Sequence, residues 1–126
     1  METEKFVINF GIASGYNTNF TEEDLAKEYY NVRIKVQDIL KDIFEETGVY
    51  VSCYSNLTST IYNMDWGCPL SGEGTVTLSG TCNAQFTNLY KWHSTVVLLA
   101  SRLKKEFKQS TITVEFMNAK IEYLNC

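Results

Sequence analysis

TEEDLAKEYYNVRIKVQDILKDIFEETG, residues 21–48, decides the fold. Leu25, Tyr29, Val32, Val36, Ile39/Leu40 and Ile43 recur at steps of three and four, the spacing of one apolar stripe along a helix. Thr21 can cap that helix, with Asp24 three residues on as in a capping box. Gly48 then stops it, because glycine takes the left-handed conformation a helix end favours. The stripe is wide enough for one buried side, not two. Such a helix must lie against one face of something else.

The flanking sequence supplies a sheet. Phe6, Ile8, Phe10 and Ile12 alternate with Val7, Asn9 and Gly11, which predicts a strand with one buried face. After the helix, Val49, Val51 and Cys53 alternate with Tyr50, Ser52 and Tyr54, and Thr58 to Tyr62 reads as a further strand. Thr75 to Ser79 resumes strand character. A second helix is expected from about Gln85 to Lys108, with Phe86, Leu89/Tyr90, His93, Val96/Val97, Ala100, Leu103 and Phe107 inward. Ile112, Val114 and Phe116 then alternate, Met117-Asn118 suits a turn, and Ala119 to Leu124 closes a terminal hairpin. The order predicts one α+β domain over 1–126. Its expected form is a ferredoxin-like plait, an antiparallel sheet of five or six strands with both long helices on one face.

Bulk properties narrow the function classes. The 126 residues are 44% apolar and 21% charged, values of a globular chain with a real core. A net charge of −4 argues against general binding to long nucleic acids, where basic patches supply most of the affinity. The longest apolar run, Val96 to Ala100, is far too short to span a bilayer, and METEKFVINF lacks the basic and apolar segments of a secretion signal. A cytoplasmic protein without membrane contact is expected. Cys53, Cys68, Cys82 and Cys126 form no C-x-x-C pair and match no zinc spacing, so idle thiols and no metal or cofactor are expected.

No catalytic constellation stands out. His93, the lone histidine, falls on or beside the inner stripe of its helix, where a structural role is the simpler reading. Asp65 and Glu73 flank a loop and fix no separation for acid–base work. Gly11 to Gly15 leads from strand to helix, but its glycine spacing is not that of a dinucleotide loop. The carboxylates of Glu22, Glu23 and Asp24 would also repel phosphate there.

The approach to the second helix looks more promising. Ser79, Gly80, Thr81 and Asn83, with Lys91 two turns in, compose a candidate nest for a small anion such as a nucleotide. Tyrosine and tryptophan give rigid contact area and stack on nucleobases. Trp92 lies near the nest in sequence, and Trp66 sits in the long loop DWGCPLSGEG, residues 65–74. That loop is longer than a hairpin needs, so Trp66 is expected to act as a lid over the Gly80–Asn83 turn. Acidic character on the first helix against the Arg102–Lys108 run on the second suits contacts between copies, and a homo-oligomer is expected.

FVINFGIASGYNT (6–18), the acidic helix and WGCPLSGEGTVTLSGTCN (66–83) together resemble the small accessory proteins of bacterial viruses. The resemblance implies a protein that antagonises or modulates a host system, counter-defence proteins that sequester nucleotide signals among them. The expectation is thus a non-enzymatic binder of a small anionic ligand, with no catalytic residue. A protein–protein inhibitor or assembly factor acting through the helices or edge strand is the alternative. A small hydrolase or thiol enzyme acting through Cys68 or Cys82 with His93 is a third.

Overall fold

The computed structural model describes residues 1–12 and 21–124. Its elements follow the order β1 (Glu2–Gly11), α1 (Glu22–Thr47), β2 (Tyr54–Thr60), a one-turn 3-10 helix (Met64–Trp66), β3 (Glu73–Thr81), α2 (Leu89–Glu106) and β4 (Thr113–Lys120). The strands form one antiparallel sheet in the order β2-β3-β1-β4. Strand–helix–strand–strand–helix–strand, with the first and third strands at the centre, makes an α+β fold of two helices on one four-stranded antiparallel sheet.

One face of the sheet carries the core. Phe6, Ile8 and Phe10 stand opposite Gly80, Leu78 and Val76, and all but Gly80 are core side chains. Val32, Val36 and Ile43 of α1 cover this face from one side. Trp92, Val96, Leu99 and Leu103 of α2 cover it from the other. Trp92 is the keystone, its ring 5.8 Å from that of Phe6 and edge-on to Phe116 at 6.2 Å. The helices are joined on their outer sides by ion pairs Arg102–Glu46 and Lys35–Glu106.

The first helix forms as its sequence dictates. The Thr21 hydroxyl accepts from the Asp24 amide and the Asp24 carboxylate accepts from the Thr21 amide, both at 3.1 Å. Gly48 ends the helix with φ +71°, its amide donating to Phe44. Among the described residues, no helix is long and apolar enough to cross a membrane.

Four expectations about the elements need correction. The described sheet has four strands, not five or six. Val49 to Cys53 is not a strand, although Val49 and Val51 are buried: its main chain crosses Gly80, where a Cβ would stand 2.3 Å from the Ser52 carbonyl. The terminal hairpin is absent too. Met117 and Asn118 do not turn but continue β4, opposite Lys5 and Glu4 of β1. Finally, α2 begins at Leu89, not near Gln85, because Asn88 takes the capping position and its side chain accepts from the Lys91 amide at 3.1 Å.

Candidate functional site

Among the described residues, no helix contributes to the other face of the sheet, where polar side chains gather at one end. Strand alternation puts Asn9 and Gly11 of β1, Thr58 and Thr60 of β2, and Glu73, Thr75 and Thr77 of β3 on this face. Their hydrogen bonds form one network. Asn9 Nδ2 donates to the Thr77 hydroxyl at 2.8 Å, the Thr58 and Thr75 hydroxyls are 2.8 Å apart, and Thr60 donates to Thr75 at 3.2 Å. Thr75 is only 3% exposed, so its neighbours close over it. At the rim, the Tyr62 hydroxyl donates to Glu73 Oε2 at 3.4 Å.

Backbone geometry sets this rim. The last pairing between β1 and β4 is Asn9 with Thr113, so Gly11 has no strand neighbour on that side. Gln109, just beyond α2, takes the place of one. Its Oε1 accepts from the Gly11 amide at 3.1 Å, and its Nε2 donates to the Gly11 and Phe107 carbonyls at 2.9 Å. Leu25 lies against Gly74, which brings the acidic first turn of α1 to the same pole of the molecule as Glu73. Amide and hydroxyl groups, one tyrosine and one carboxylate can together hold a polar ligand bearing positive charge.

The seven residues expected to bind a ligand do not converge here, nor at any single place. Ser79, Gly80 and Thr81 belong to β3, and Gly80 is filled in by Phe6 and Ser52. Asn83 uses its Oδ1 to accept from the Gln85 amide and the Tyr123 hydroxyl. Asn88 caps the helix, so the nest is occupied by the protein's own side chains. Trp92 is 1% exposed and belongs to the core. Trp66 is 82% exposed and sits in the loop that precedes β3, whereas the Gly80–Asn83 turn lies at the end of that strand. With nine residues at about 3.3 Å each, the two ends stand roughly 26 Å apart. Trp66 cannot be a lid over that turn.

Asn83 and Lys91 alone share a cleft, of about 600 Å³, with Phe44, Tyr50 and Phe86 at the opposite pole. Lys91 is the only charged residue lining it, so the cleft suits an anion and not a cation.

The thiol enzyme has no geometric support. His93 stacks on Phe116 with ring centres 3.8 Å apart, and its Nδ1 lies 2.8 Å from a Glu4 carboxylate oxygen. Cys68 donates to Pro69, and Cys82 lies 3.9 Å from the Thr87 carbonyl. Burial pushes the Cys82 and Cys53 thiols up, away from the reactive thiolate. No cluster of three or more metal-ligating side chains occurs among the described residues. The Gly11–Gly15 loop falls largely outside the described residues, as does Cys126.

Sequence reasoning passed over Asn9, Thr58, Thr60 and Tyr62. The available signal was the shared parity of Asn9 on β1 with Thr58 and Thr60 on β2, which becomes visible only once the register is known, and Tyr62 follows just beyond β2.

Comparison with known proteins adds what geometry alone does not. A sequence model of the SAM lyase family matches residues 1–125. A solved phage SAM lyase in complex with S-methyl-5′-thioadenosine is similar at 19% identity and a TM-score of 0.59, covering 91% of this chain and 80% of that one. A phage SAM lyase in its apo state is similar at 16% identity and the same TM-score, covering 98% and 94%. None of the curated proteins compared matches the chain. Both solved relatives come from phage, in keeping with the resemblance to accessory proteins of bacterial viruses. The expectation of a non-enzymatic binder, with its inhibitor alternative, is overturned: a lyase is an enzyme.

Proposed function

The chain belongs to the SAM lyase family, and from that premise we propose that it cleaves S-adenosylmethionine and releases S-methyl-5′-thioadenosine without consuming water. The observation that carries this reading is a family match spanning nearly the whole chain, 1–125. The substrate's chemistry explains why no acid–base pair is needed. The bond broken joins the sulfonium sulfur to the terminal carbon of the aminobutyrate chain. Its electron pair goes to sulfur, which leaves as a neutral thioether and needs no proton. The substrate's own carboxylate oxygen closes onto the vacated carbon, forming a lactone and releasing no proton either.

What remains for the protein is to bind and orient. A carboxylate held against the sulfonium would be counterproductive, because that positive charge diminishes towards the transition state and the ground state would gain more. The useful place for a carboxylate is the substrate's α-ammonium group, which keeps its charge throughout. Glu73 is the carboxylate of the open-face network and takes that role. Asn9, Thr58 and Thr60 supply donors and acceptors for the nucleoside, and Tyr62 donates to Glu73. The acidic first turn of α1 favours the approach of a substrate with net positive charge.

Removal of a methyl donor is a counter-defence in a cell that protects itself by methylation, which suits an accessory protein of a bacterial virus acting in the host cytoplasm. Self-association on the ferredoxin-like plait is part of this reading. Its support is the helix-free face of a four-stranded sheet, whose edge strand β2 carries no charge.

Incubation of the purified protein with S-adenosylmethionine, followed by liquid chromatography and mass spectrometry, tests the activity. Methylthioadenosine accumulating well above the uncatalysed background is expected. Its absence would end the reading. Glu73→Gln is expected to lower kcat/KM by about 10- to 100-fold, the worth of a charged hydrogen bond, with the circular dichroism spectrum unchanged. An unimpaired variant would move the site elsewhere.

A further inference from the structure

The open-face network contains a contact that side-chain chemistry alone does not suggest. Built onto Gly11, a Cβ atom would stand 2.9 Å from Glu73 Oε1 and 3.8 Å from its Cδ. The carboxylate therefore rests over the bare α-carbon of β1, in space that any other residue would take. Gly11 is not in the left-handed region, so the backbone itself does not call for glycine here. Its other close neighbour is Gln109 Oε1, at 3.5 Å from the same position. Glutamine thus fixes the strand end by its two main-chain bonds, and the glycine leaves the seat for the carboxylate.

We propose that Gly11, clamped by Gln109, is the positioning element that sets where the Glu73 carboxylate meets the substrate's ammonium group. The inference rests on the assignment of Glu73 above. It goes further in naming two residues that touch no substrate yet fix the geometry of the one that does. An alanine at position 11 would meet only the far end of a flexible side chain, which can swing aside. The substitution should therefore displace the carboxylate without disturbing the fold.

The reaction supplies its own control. Methylthioadenosine lacks the ammonium group, so its binding should ignore the position of Glu73. Kinetics of wild type, Gly11→Ala, Gln109→Ala, Glu73→Gln and the Gly11→Ala/Glu73→Gln double variant test the proposal, with methylthioadenosine as competitive inhibitor. Gly11→Ala should lower kcat/KM for S-adenosylmethionine about tenfold, the loss of one charge-assisted contact. Its melting temperature and its inhibition constant for methylthioadenosine should stay those of the wild type. Gln109→Ala should shift kcat/KM in the same direction. In the Glu73→Gln background, Gly11→Ala should have little further effect, because the group it displaces has lost its charge.

Full activity in Gly11→Ala, or effects that multiply in the double variant, would overturn the positioning role while leaving the lyase reading intact. Weakened inhibition by methylthioadenosine would overturn it as well, since damage would then extend to the nucleoside site. A wild-type protein that releases no methylthioadenosine would remove both.

Discussion

At the scale of single residues, the two tryptophans separate what a sequence shows from what it hides. Trp92 lies beside the helical stripe on a helical wheel, and the sequence places it at a binding surface. In the fold it is buried between Phe6 and Phe116. The stripe is centred one position from the expected His93, and a wheel drawn without the partner sheet cannot resolve that 100° step. Trp92→Ala should cost about 3–5 kcal/mol of unfolding free energy, as for other large core aromatics, readable by urea denaturation. Trp66 is the converse, a large side chain with nothing over it. Trp66→Ala should stay within about 0.5 kcal/mol in stability and leave kcat/KM unchanged. A substantial loss of activity would restore a role for the loop. Glu73 was visible to sequence reasoning, but paired with Asp65 across the loop. Its structural partners are Gly11 of β1 and Tyr62 just beyond β2, brought together by a register that the sequence does not state.

At the scale of elements, legibility follows how local the determining interactions are. The first helix is fully readable because its cap, stripe and stop all lie within it. Thr21→Ala should remove the capping box and cost about 1 kcal/mol. Acid should act on the same device. The backbone and side-chain hydrogen bonds from Thr21 hold the Asp24 carboxyl below its ordinary range. A lowered native value means that the stabilisation is complete above the unfolded-state value and disappears as pH falls through the native one. Thermal melts of wild type and Asp24→Asn should therefore converge as pH drops below about 4, the ordinary aspartate value, because the protonated carboxyl then resembles the amide. A gap that persists at lower pH would show that the carboxylate's charge is not what strengthens the cap.

The last strand is the opposite case. Asn118 is a good turn residue, but its pairing with Glu4 across more than a hundred residues overrides local preference. Val49 to Cys53 fails for a related reason. It alternates as a strand would, yet its main chain passes over Gly80 and not alongside a neighbour.

At the scale of the whole molecule, the class and the disposition of helices were legible, and the chemistry was not. Sequence reading looks for acids, bases, nucleophiles and metals because most reactions need them. A sulfonium carries its own leaving group, so an enzyme acting on it has no such signature to display. On the proposed reading the ligand carries net positive charge, which the carboxylates at the opening of α1 suit. The two poles of the sheet thus differ in kind. One has Glu73 and the polar network, the other an aromatic cleft whose only charge is Lys91.

Cys68 and Cys82 are 6% and 0% exposed and engaged by hydrogen-bond acceptors of their own chain. An alkylating reagent can thus reach them only when the native structure opens. Peptide mapping after timed exposure to iodoacetamide would make these two sulfurs a clock for unfolding. Labelling at both should accelerate in step with added urea, while rapid modification in plain buffer would mean that the interior opens far more readily than this burial implies.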